Sequence, residues 1–320
     1  MQKFLHLSPN HISKKHLFNN TIIMFLSIVM ILLNTGCTKK VLHTPPSPVD
    51  KTPKNLPPLK IGILSAQNPQ DQQKMVKQLD NYLEKSLKRT IDIKLAKNYN
   101  DIVDWLVQEK VDIAYLYPLT YLQALDKGAK IEPIVASIDK NTGQPWYRSC
   151  IIIKSDSPVK TLTDLKNKRV AFVDKSSTSG YLMPMVAFQK LNINPEQDFS
   201  QLIYAGNHAK SLEYLENGIV DAAATNTAAY LKEQKKGKLT SQNSRILWES
   251  TPLAQSPVVV LKKLPPELIK QLKKAFINLP NGMEDIKGIE SAGYTLVSAS
   301  DYEPIQQLRQ QLNLISSPSK

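Results

Sequence analysis

The sequence is poor in the residues that build metal centres and disulfide frameworks. It has two cysteines, Cys37 and Cys150, which stand far apart, and five histidines in 320 residues. His208 is the only histidine after residue 43. The sequence therefore predicts no metal site, no disulfide pair and no cofactor. Cys150 stands in an apolar run and is predicted to be a small core residue.

Arginine is also scarce, which limits what the positive charge can mean. Lys and Arg together number 41 against 28 acidic residues, a formal net charge of +13. Such a charge favours anionic ligands, nucleic acid or an anionic membrane surface. The arginines are dispersed, and no RNP-like or helix-turn-helix pattern occurs, so we expect no nucleic-acid partner. A lysine-rich solvated surface is the alternative explanation for the charge.

No apolar run is as long as a membrane-spanning helix. The run at residues 22–33 follows two lysines and leads into Leu33-Asn34-Thr35-Gly36-Cys37. This end resembles the lipobox of bacterial lipoproteins, in which a small residue precedes the cysteine that is lipidated. Asn34 stands where that motif usually has Leu, and an uncleaved signal anchor is the alternative. We expect a signal peptide over residues 1–36 and lipidation of Cys37.

A proline-rich segment follows the predicted lipidation site. Residues 38–58 contain six prolines and few apolar residues. Proline favours an extended chain, so residues 37–58 are predicted to be a tether between the lipid and the folded body. We therefore expect a monomer outside the cytoplasm, on the periplasmic side of a bacterial membrane and attached to it by the lipid.

From residue 59 onward, strand and helix patterns alternate. The predicted strands are 59–64, 91–95, 111–116, 131–138, 146–153, 170–173, 201–204, 220–224, 245–248 and 258–261, and the predicted helices include 70–87, 100–109, 118–124, 181–191, 266–277 and 304–314. This order predicts an α/β protein with mostly parallel sheets covered by helices.

The same pattern divides into two α/β units. Residues 59–150 with 258–320 are predicted to form lobe 1, and residues 151–257 to form lobe 2. Extended crossings near Cys150 and Val258 would join them, which predicts a hinged, two-lobed body. Ligands of open α/β sheets bind at the carboxyl ends of strands, so we expect a cleft there.

A hydroxyl-rich turn lies between the strand at 170–173 and the helix at 181–191. Its members are Ser176, Ser177, Thr178, Ser179 and Gly180. A turn at a helix start offers unpaired N–H groups, the positive end of the helix dipole and here up to four hydroxyls, which predicts an anion site. Ser and Thr are also ordinary N-caps, so capping alone is the alternative.

Several segments, in order, resemble one family, the PhnD-like substrate-binding proteins of phosphate, phosphite and phosphonate ABC transporters. The resemblance covers most of residues 59–265 and is carried by Asn98-Tyr99-Asn100, residues 111–119, Tyr147-Arg148-Ser149, residues 163–166, residues 177–181 with Pro184, Asp198-Phe199, residues 205–208, residues 220–223 and Ser256-Pro257. It implies a periplasmic-binding-protein type 2 fold that closes on a tetrahedral phosphorus oxyanion. It also implies an ABC permease and its ATPase as partners.

The resemblance also implies which residues bind the ligand. The implied contacts are Tyr99, Tyr147, Ser177, Thr178, Ser179 and His208, and further candidates are Tyr117, Ser176, Gly180, Asn207 and Ser256. Apart from the resemblance, packing at the ends of strands and helices would be the favoured explanation of the tyrosines, and an exposed loop would explain the histidine.

Two positions bear on the substituent of the phosphorus. Members of the family that bind aminoalkylphosphonates have carboxylates that pair with the ligand ammonium, and the corresponding residues here are Ala228 and Ser256. A buried ammonium without an acidic partner is costly. The expected ligand is therefore phosphite, phosphate or methylphosphonate.

Three functions stay open from the sequence. The first is a receptor that delivers the anion to an importer, and the second is a sensor that uses the same fold. The third is a phosphatase or serine hydrolase, which would need a base beside Ser177 or Thr178. No Gly-Xaa-Ser-Xaa-Gly motif or metal cluster supports this third function, so we expect no enzymatic activity.

Overall fold

Short apolar runs become the central strands of two sheets in the computed structural model. The structure describes residues 56–64, 69–140, 142–280, 284–285 and 289–312. The predicted signal peptide, Cys37 and the tether up to residue 55 lie outside these residues. None of the helices in the described part is long and apolar enough to cross a membrane.

Strands and helices alternate along most of the chain, as the sequence predicts. In order they are β1 (Leu59–Leu64), α1 (Pro69–Leu87), β2 (Ile91–Ala96), α2 (Tyr99–Val107), β3 (Ile113–Tyr115), α3 (Pro118–Asp126), β4 (Ile131–Asp139), β5 (Trp146–Tyr147), β6 (Ser149–Lys154), β7 (Arg169–Phe172), α4 (Met183–Gln189), α5 (Pro195–Asp198), β8 (Gln201–Tyr204), α6 (His208–Glu216), β9 (Ala222–Asn226), α7 (Thr227–Lys235), β10 (Ser244–Glu249), β11 (Leu253–Ala254), β12 (Pro257–Leu261), α8 (Pro266–Ile277), β13 (Glu284–Asp285), β14 (Ile289–Leu296) and α9 (Glu303–Gln311). A π-helical turn at Thr178–Leu182 precedes α4.

The seven-stranded sheet has the order β13-β14-β4-β12-β3-β1-β2. β1 pairs in parallel with β2 and β3, whereas β12 lies antiparallel between β3 and β4. Every residue of β12 is buried, as is expected for a strand covered on both faces. We refer to the part of the chain around this sheet as lobe 1.

The five-stranded sheet has the order β10-β6-β9-β7-β8. β7 pairs in parallel with β8 and β9, and β6 lies antiparallel between β9 and β10. Cys150 lies on β6, is fully buried and forms no disulfide, so its predicted place in the core is confirmed. We refer to the part of the chain around this sheet as lobe 2.

The strand predicted at residues 146–153 is two strands. Trp146–Tyr147 pairs with Leu253–Ala254 in a separate two-stranded sheet, and only Ser149–Lys154 joins lobe 2. The chain must leave one sheet and enter another here, so one continuous strand cannot serve both. The parallel pairing expected from the βαβ order is found in β2-β1-β3 and in β8-β7-β9. The other pairs of the two large sheets are antiparallel: those of β6 and β12, which begin at the two crossings, and those of β14 with β4 and β13, so the strand directions in both sheets are mixed.

The other differences are one strand that was not predicted and shifts at the ends of elements. The strand at Ile289–Leu296, which pairs with β4 at one side of the sheet, was not predicted. The helix predicted at 181–191 begins earlier, as the π-helical turn, and α9 ends at Gln311. The strands of lobe 1 come from residues 59–139 and 257–296, and those of lobe 2 from residues 149–249. The predicted hinge boundaries at residues 150 and 257 stay a prediction.

Candidate functional site

Helix starts gather at the carboxyl ends of the strands. Helices α2, α3, α6 and α7 begin just after β2, β3, β8 and β9, and the π-helical turn begins after β7. Side chains at these starts accept backbone N–H groups, namely Asn98 from Asp101 at 3.0 Å, Ser177 from Gly180 at 3.0 Å, Asn207 from Lys210 at 2.8 Å and Asn226 from Ala229 at 2.8 Å. Each start also offers orphan N–H groups and the positive end of a dipole.

The hydroxyl-rich turn is a cap, but capping uses only part of its chemistry. Ser177 is fully buried, and its Oγ accepts the N–H of Gly180. A hydroxyl has one hydrogen and two acceptor lone pairs, so the hydrogen is left to donate elsewhere. The two interpretations of the turn, a cap and an anion site, are therefore compatible.

The turn rests directly on lobe 1. The N–H of Leu119 donates to Thr178 Oγ1 at 2.9 Å, and Thr120 Oγ1 donates to the backbone oxygen of Ser176 at 3.1 Å. Thr178, like Ser177, thus accepts a backbone N–H and keeps its hydrogen to donate. On the lobe 2 side, Ser149 Oγ donates to the backbone oxygen of Ser179 at 2.6 Å.

Gly180 permits the close return of the turn onto the end of β7. A Cβ at this position would lie 2.2 Å from Val173 Cγ2. This distance is too short for two carbon atoms, so residues with a side chain do not fit here. The N–H of Val173 also donates to the oxygen of Gly180 at 2.9 Å. The N–H of Gly180 already donates to Ser177 Oγ and is not available to a ligand. The role of this glycine is therefore to shape the turn.

Two buried tyrosines face the turn. The hydroxyl of Tyr147 is buried and makes no hydrogen bond of good geometry to a described residue. Burial raises the pKa of Tyr147 to about 12, although the nearby hydroxyls of Thr178 and Ser179 partly lower it. Burial likewise raises the pKa of Tyr99 well above its ordinary value, with further increases from Tyr117 and Asp174. Both tyrosines stay protonated at neutral pH and can donate.

Aromatic rings connect the two lobes across the same region. The ring centroids of Tyr99 and Tyr117 lie 5.5 Å apart, and those of Tyr117 and His208 lie 6.3 Å apart. His208 Nδ1 lies 3.1 Å from Thr225 Oγ1, which orients the imidazole. The structure therefore places Tyr117 between Tyr99 and His208. Tyr99 in turn faces the hydroxyl-rich turn.

The remaining candidates are placed differently. Ser176 is buried, and its described bond through the backbone oxygen is to Thr120. Asn207 caps α6. Ser256 is buried and its backbone N lies 3.4 Å from Gln255 Oε1, with no described contact to the turn. Ala228 is buried in the first turn of α7.

Sequence reasoning missed Thr120, Ser149 and Thr225, whose hydroxyls hold the turn and the imidazole in place. Ser149 was part of a segment that carried the family resemblance, yet its role was not predicted. Thr120 follows Pro118, and Pro in the first turn of α3 marks the helix start. That signal was available but does not reveal a contact 56 residues away along the chain.

The turn has little positive charge close to it. Lys175 has a side chain 65% exposed, lies 3.9 Å from Glu196 and stacks over Tyr204. Among the described residues, the buried cation is Arg309, which pairs with Asp126. The described residues also hold no group of His, Cys, Asp and Glu that could bind a metal ion. An anion here would depend on hydroxyls and helix starts.

Comparison with known proteins places this architecture in a family. A family model described as ABC transporter, phosphonate, periplasmic substrate-binding protein matches residues 61–303. The chain belongs to this family. The PhnD-like resemblance in the sequence is therefore confirmed, and the members of this phosphonate-binding family are transport proteins rather than enzymes.

Two curated relatives agree with membership in the phosphonate-binding family. The chain is 30% identical over 242 residues to the phosphate-import protein PhnD of Mycolicibacterium smegmatis, covering 73% of this chain and 74% of that protein. It is 29% identical over 260 residues to the phosphonates-binding periplasmic protein of Escherichia coli, covering 78% and 75%.

The fold agrees as well. The structure of PhnD1 from Prochlorococcus marinus in complex with methylphosphonate superposes with a TM-score of 0.70 at 20% identity, covering 80% of this chain and 98% of that one. The predicted periplasmic-binding-protein type 2 fold is thus confirmed.

Proposed function

We propose that this protein captures a small phosphorus oxyanion in the cleft between its lobes and delivers it to an ABC permease and its ATPase. Membership in a family of periplasmic phosphonate-binding transport proteins supports this assignment. The names of the relatives point to phosphate and phosphonates, and the Prochlorococcus structure holds methylphosphonate. Phosphite, phosphate and methylphosphonate are the ligands that we propose.

The observation that carries the proposal is the buried hydroxyl of Tyr147. A buried polar group without a partner costs about 1–3 kcal/mol, so a ligand oxygen is the natural acceptor for it. The hydroxyls of Thr178 and Ser179 are the neighbouring groups that lower its pKa. A tetrahedral anion between Tyr147 and the turn would satisfy all three groups.

The donors would come from both lobes. Ser177 and Thr178 have hydrogens left to donate because each accepts a backbone N–H. The N–H groups of Thr178 and Ser179 belong to the first turn after the cap, at the positive end of the helix dipole, where they could donate to the anion. Tyr99 faces them from lobe 1. Because neither lobe holds the complete set, binding would require that the lobes meet.

The uncharged surroundings support a ligand without an ammonium group. Ala228 is buried and cannot pair with a cation, and Ser256 is also neutral. Burial of an ammonium there would lack compensation. Methylphosphonate, phosphite and phosphate carry no such group.

We also propose that Cys37 is lipidated and that residues 37–58 tether the body to the membrane, where the permease lies. Mass spectrometry of the purified protein tests this point, because processing and acylation would remove residues 1–36 and add acyl mass to Cys37. A Cys37→Ser variant should lose that added mass and be released from the membrane fraction. An intact N-terminus would contradict the proposal.

Titration calorimetry on the predicted mature protein, residues 37–320, tests the ligand assignment. Phosphite, phosphate and methylphosphonate should be compared with sulfate at one protein concentration. At least one phosphorus oxyanion should bind with one-to-one stoichiometry and more tightly than sulfate. A flat response to all three would refute the assignment.

A further inference from the structure

Two hydrogen bonds join the start of α3 to the hydroxyl-rich turn. One runs from the N–H of Leu119 to Thr178 Oγ1 at 2.9 Å, and the other from Thr120 Oγ1 to the backbone oxygen of Ser176 at 3.1 Å. Thr120 and Thr178 are each 1% exposed, so water does not compete. Since α3 follows a strand of lobe 1 and the turn follows a strand of lobe 2, both bonds cross from one lobe to the other.

The bond from Leu119 changes what the hydroxyl of Thr178 can do. An accepted hydrogen bond polarises the O–H group and strengthens the bond that it donates. It also leaves the hydrogen as the part of the hydroxyl that faces an anion. This state exists only while the start of α3 rests on the turn. Thr178 is therefore the better anion donor when the lobes are in contact.

The neighbouring side chain fixes that contact. Thr120 is β-branched, so its χ1 is stiff, and its hydroxyl is bound to the oxygen of Ser176. We propose that Thr120 is a positioning residue that seats α3 on the turn and so couples closure of the lobes to anion binding by Thr178. The inference rests on the proposed function, because it assumes an anion at Thr178.

Two pairs of proteins isolate the hydroxyl of Thr120. The wild type and Thr120→Val differ by a hydroxyl replaced by a methyl group, and Thr120→Ser and Thr120→Ala differ by the hydroxyl alone. Within each pair, affinity for methylphosphonate should fall about tenfold when the hydroxyl is lost. Stopped-flow tryptophan fluorescence should assign the loss to faster dissociation, because a bond that joins the two lobes must break before they separate and release the anion.

Small-angle scattering supplies a second readout. The decrease in radius of gyration that saturating methylphosphonate causes in the wild type should be smaller in Thr120→Val and should be retained in Thr120→Ser. Equal affinities and equal scattering changes in both pairs would overturn the inference while leaving the function intact. Failure of the wild type to bind any phosphorus oxyanion would instead overturn the proposed function. Thermal unfolding confirms that each variant is folded.

Discussion

Replacing Tyr147 by Phe should change binding and stability in opposite directions. The substitution removes only the hydroxyl, which is buried and makes no good hydrogen bond to a described residue. If that hydroxyl donates to the anion, its loss removes a charge-assisted bond of about 1.5–3 kcal/mol. Affinity for the preferred oxyanion should then fall about 10- to 150-fold, at tenfold for each ~1.4 kcal/mol.

The unliganded variant should at the same time be more stable than the wild type. An unsatisfied buried hydroxyl costs about 1–3 kcal/mol, and Phe fills the same space without that cost. Urea unfolding of ligand-free protein should therefore show a free energy of unfolding about 1 kcal/mol higher in Tyr147→Phe. Calorimetric titration of the same samples gives the affinity.

Tyr82→Phe is the matched control. The hydroxyl of Tyr82 donates to the backbone oxygen of Ala275 at 2.6 Å, between α1 and α8. Its removal should lower the free energy of unfolding by about 1 kcal/mol and leave affinity unchanged. A Tyr147→Phe variant that behaved like this control would refute the reasoning, because its hydroxyl would then serve the fold rather than the ligand.

The pH dependence of Tyr147 has a definite sign. Its pKa in the folded protein is raised to about 12, against about 10 in an unfolded chain. Because the folded protein holds this proton more tightly than the unfolded chain, the part of the free energy of unfolding that depends on the proton is complete below about pH 10. It is lost as the pH rises toward about 12. The stability of the wild type should therefore fall relative to Tyr147→Phe above about pH 10. Near neutral pH the difference should be constant.

Three further predictions concern the turn and the ligand. Thr178→Ala with Ser179→Ala should weaken anion binding about a hundredfold by calorimetry, whereas Lys175→Ala should change it less than about threefold, since exposed charges contribute little. Equal losses would mean that a diffuse field holds the anion. Methylphosphonate should bind more tightly than 2-aminoethylphosphonate. The reverse order would mean that some other acidic residue pairs with the ammonium group, in place of the carboxylate that is absent at Ala228. Gly180→Ala should lower the free energy of unfolding by about 1–3 kcal/mol through overpacking, and an unchanged urea midpoint would contradict this.

The hydroxyl-rich turn could be predicted because its chemistry is local. A buried strand, a run of hydroxyls and a helix follow one another directly, and the order of residues 170–191 contains all three. The same holds for most strands and helices, whose periodicity depends only on neighbours in the chain. The structure agrees with most of these predictions, apart from shifted element ends, the split strand at residues 146–153 and the unpredicted strand β14.

What the sequence could not provide depends on contacts between distant segments. The split of the strand at residues 146–153 follows from pairing with Leu253–Ala254 more than a hundred residues later. The roles of Thr120 and Ser149 depend on which helix start meets the turn. Strand β14 has an ordinary composition, and its strand conformation follows from pairing with β4.

The position of β12 constrains the order in which the protein can fold. It lies between β3 and β4 in the middle of lobe 1, yet it enters the chain only at residue 257. During synthesis, all five strands of lobe 2 are therefore available before the central strand of lobe 1 exists. Lobe 1 can complete its sheet only when most of the chain has been made. A polypeptide exported across a membrane would benefit from this delay, since an incomplete sheet leaves the early segments unable to reach their final packing.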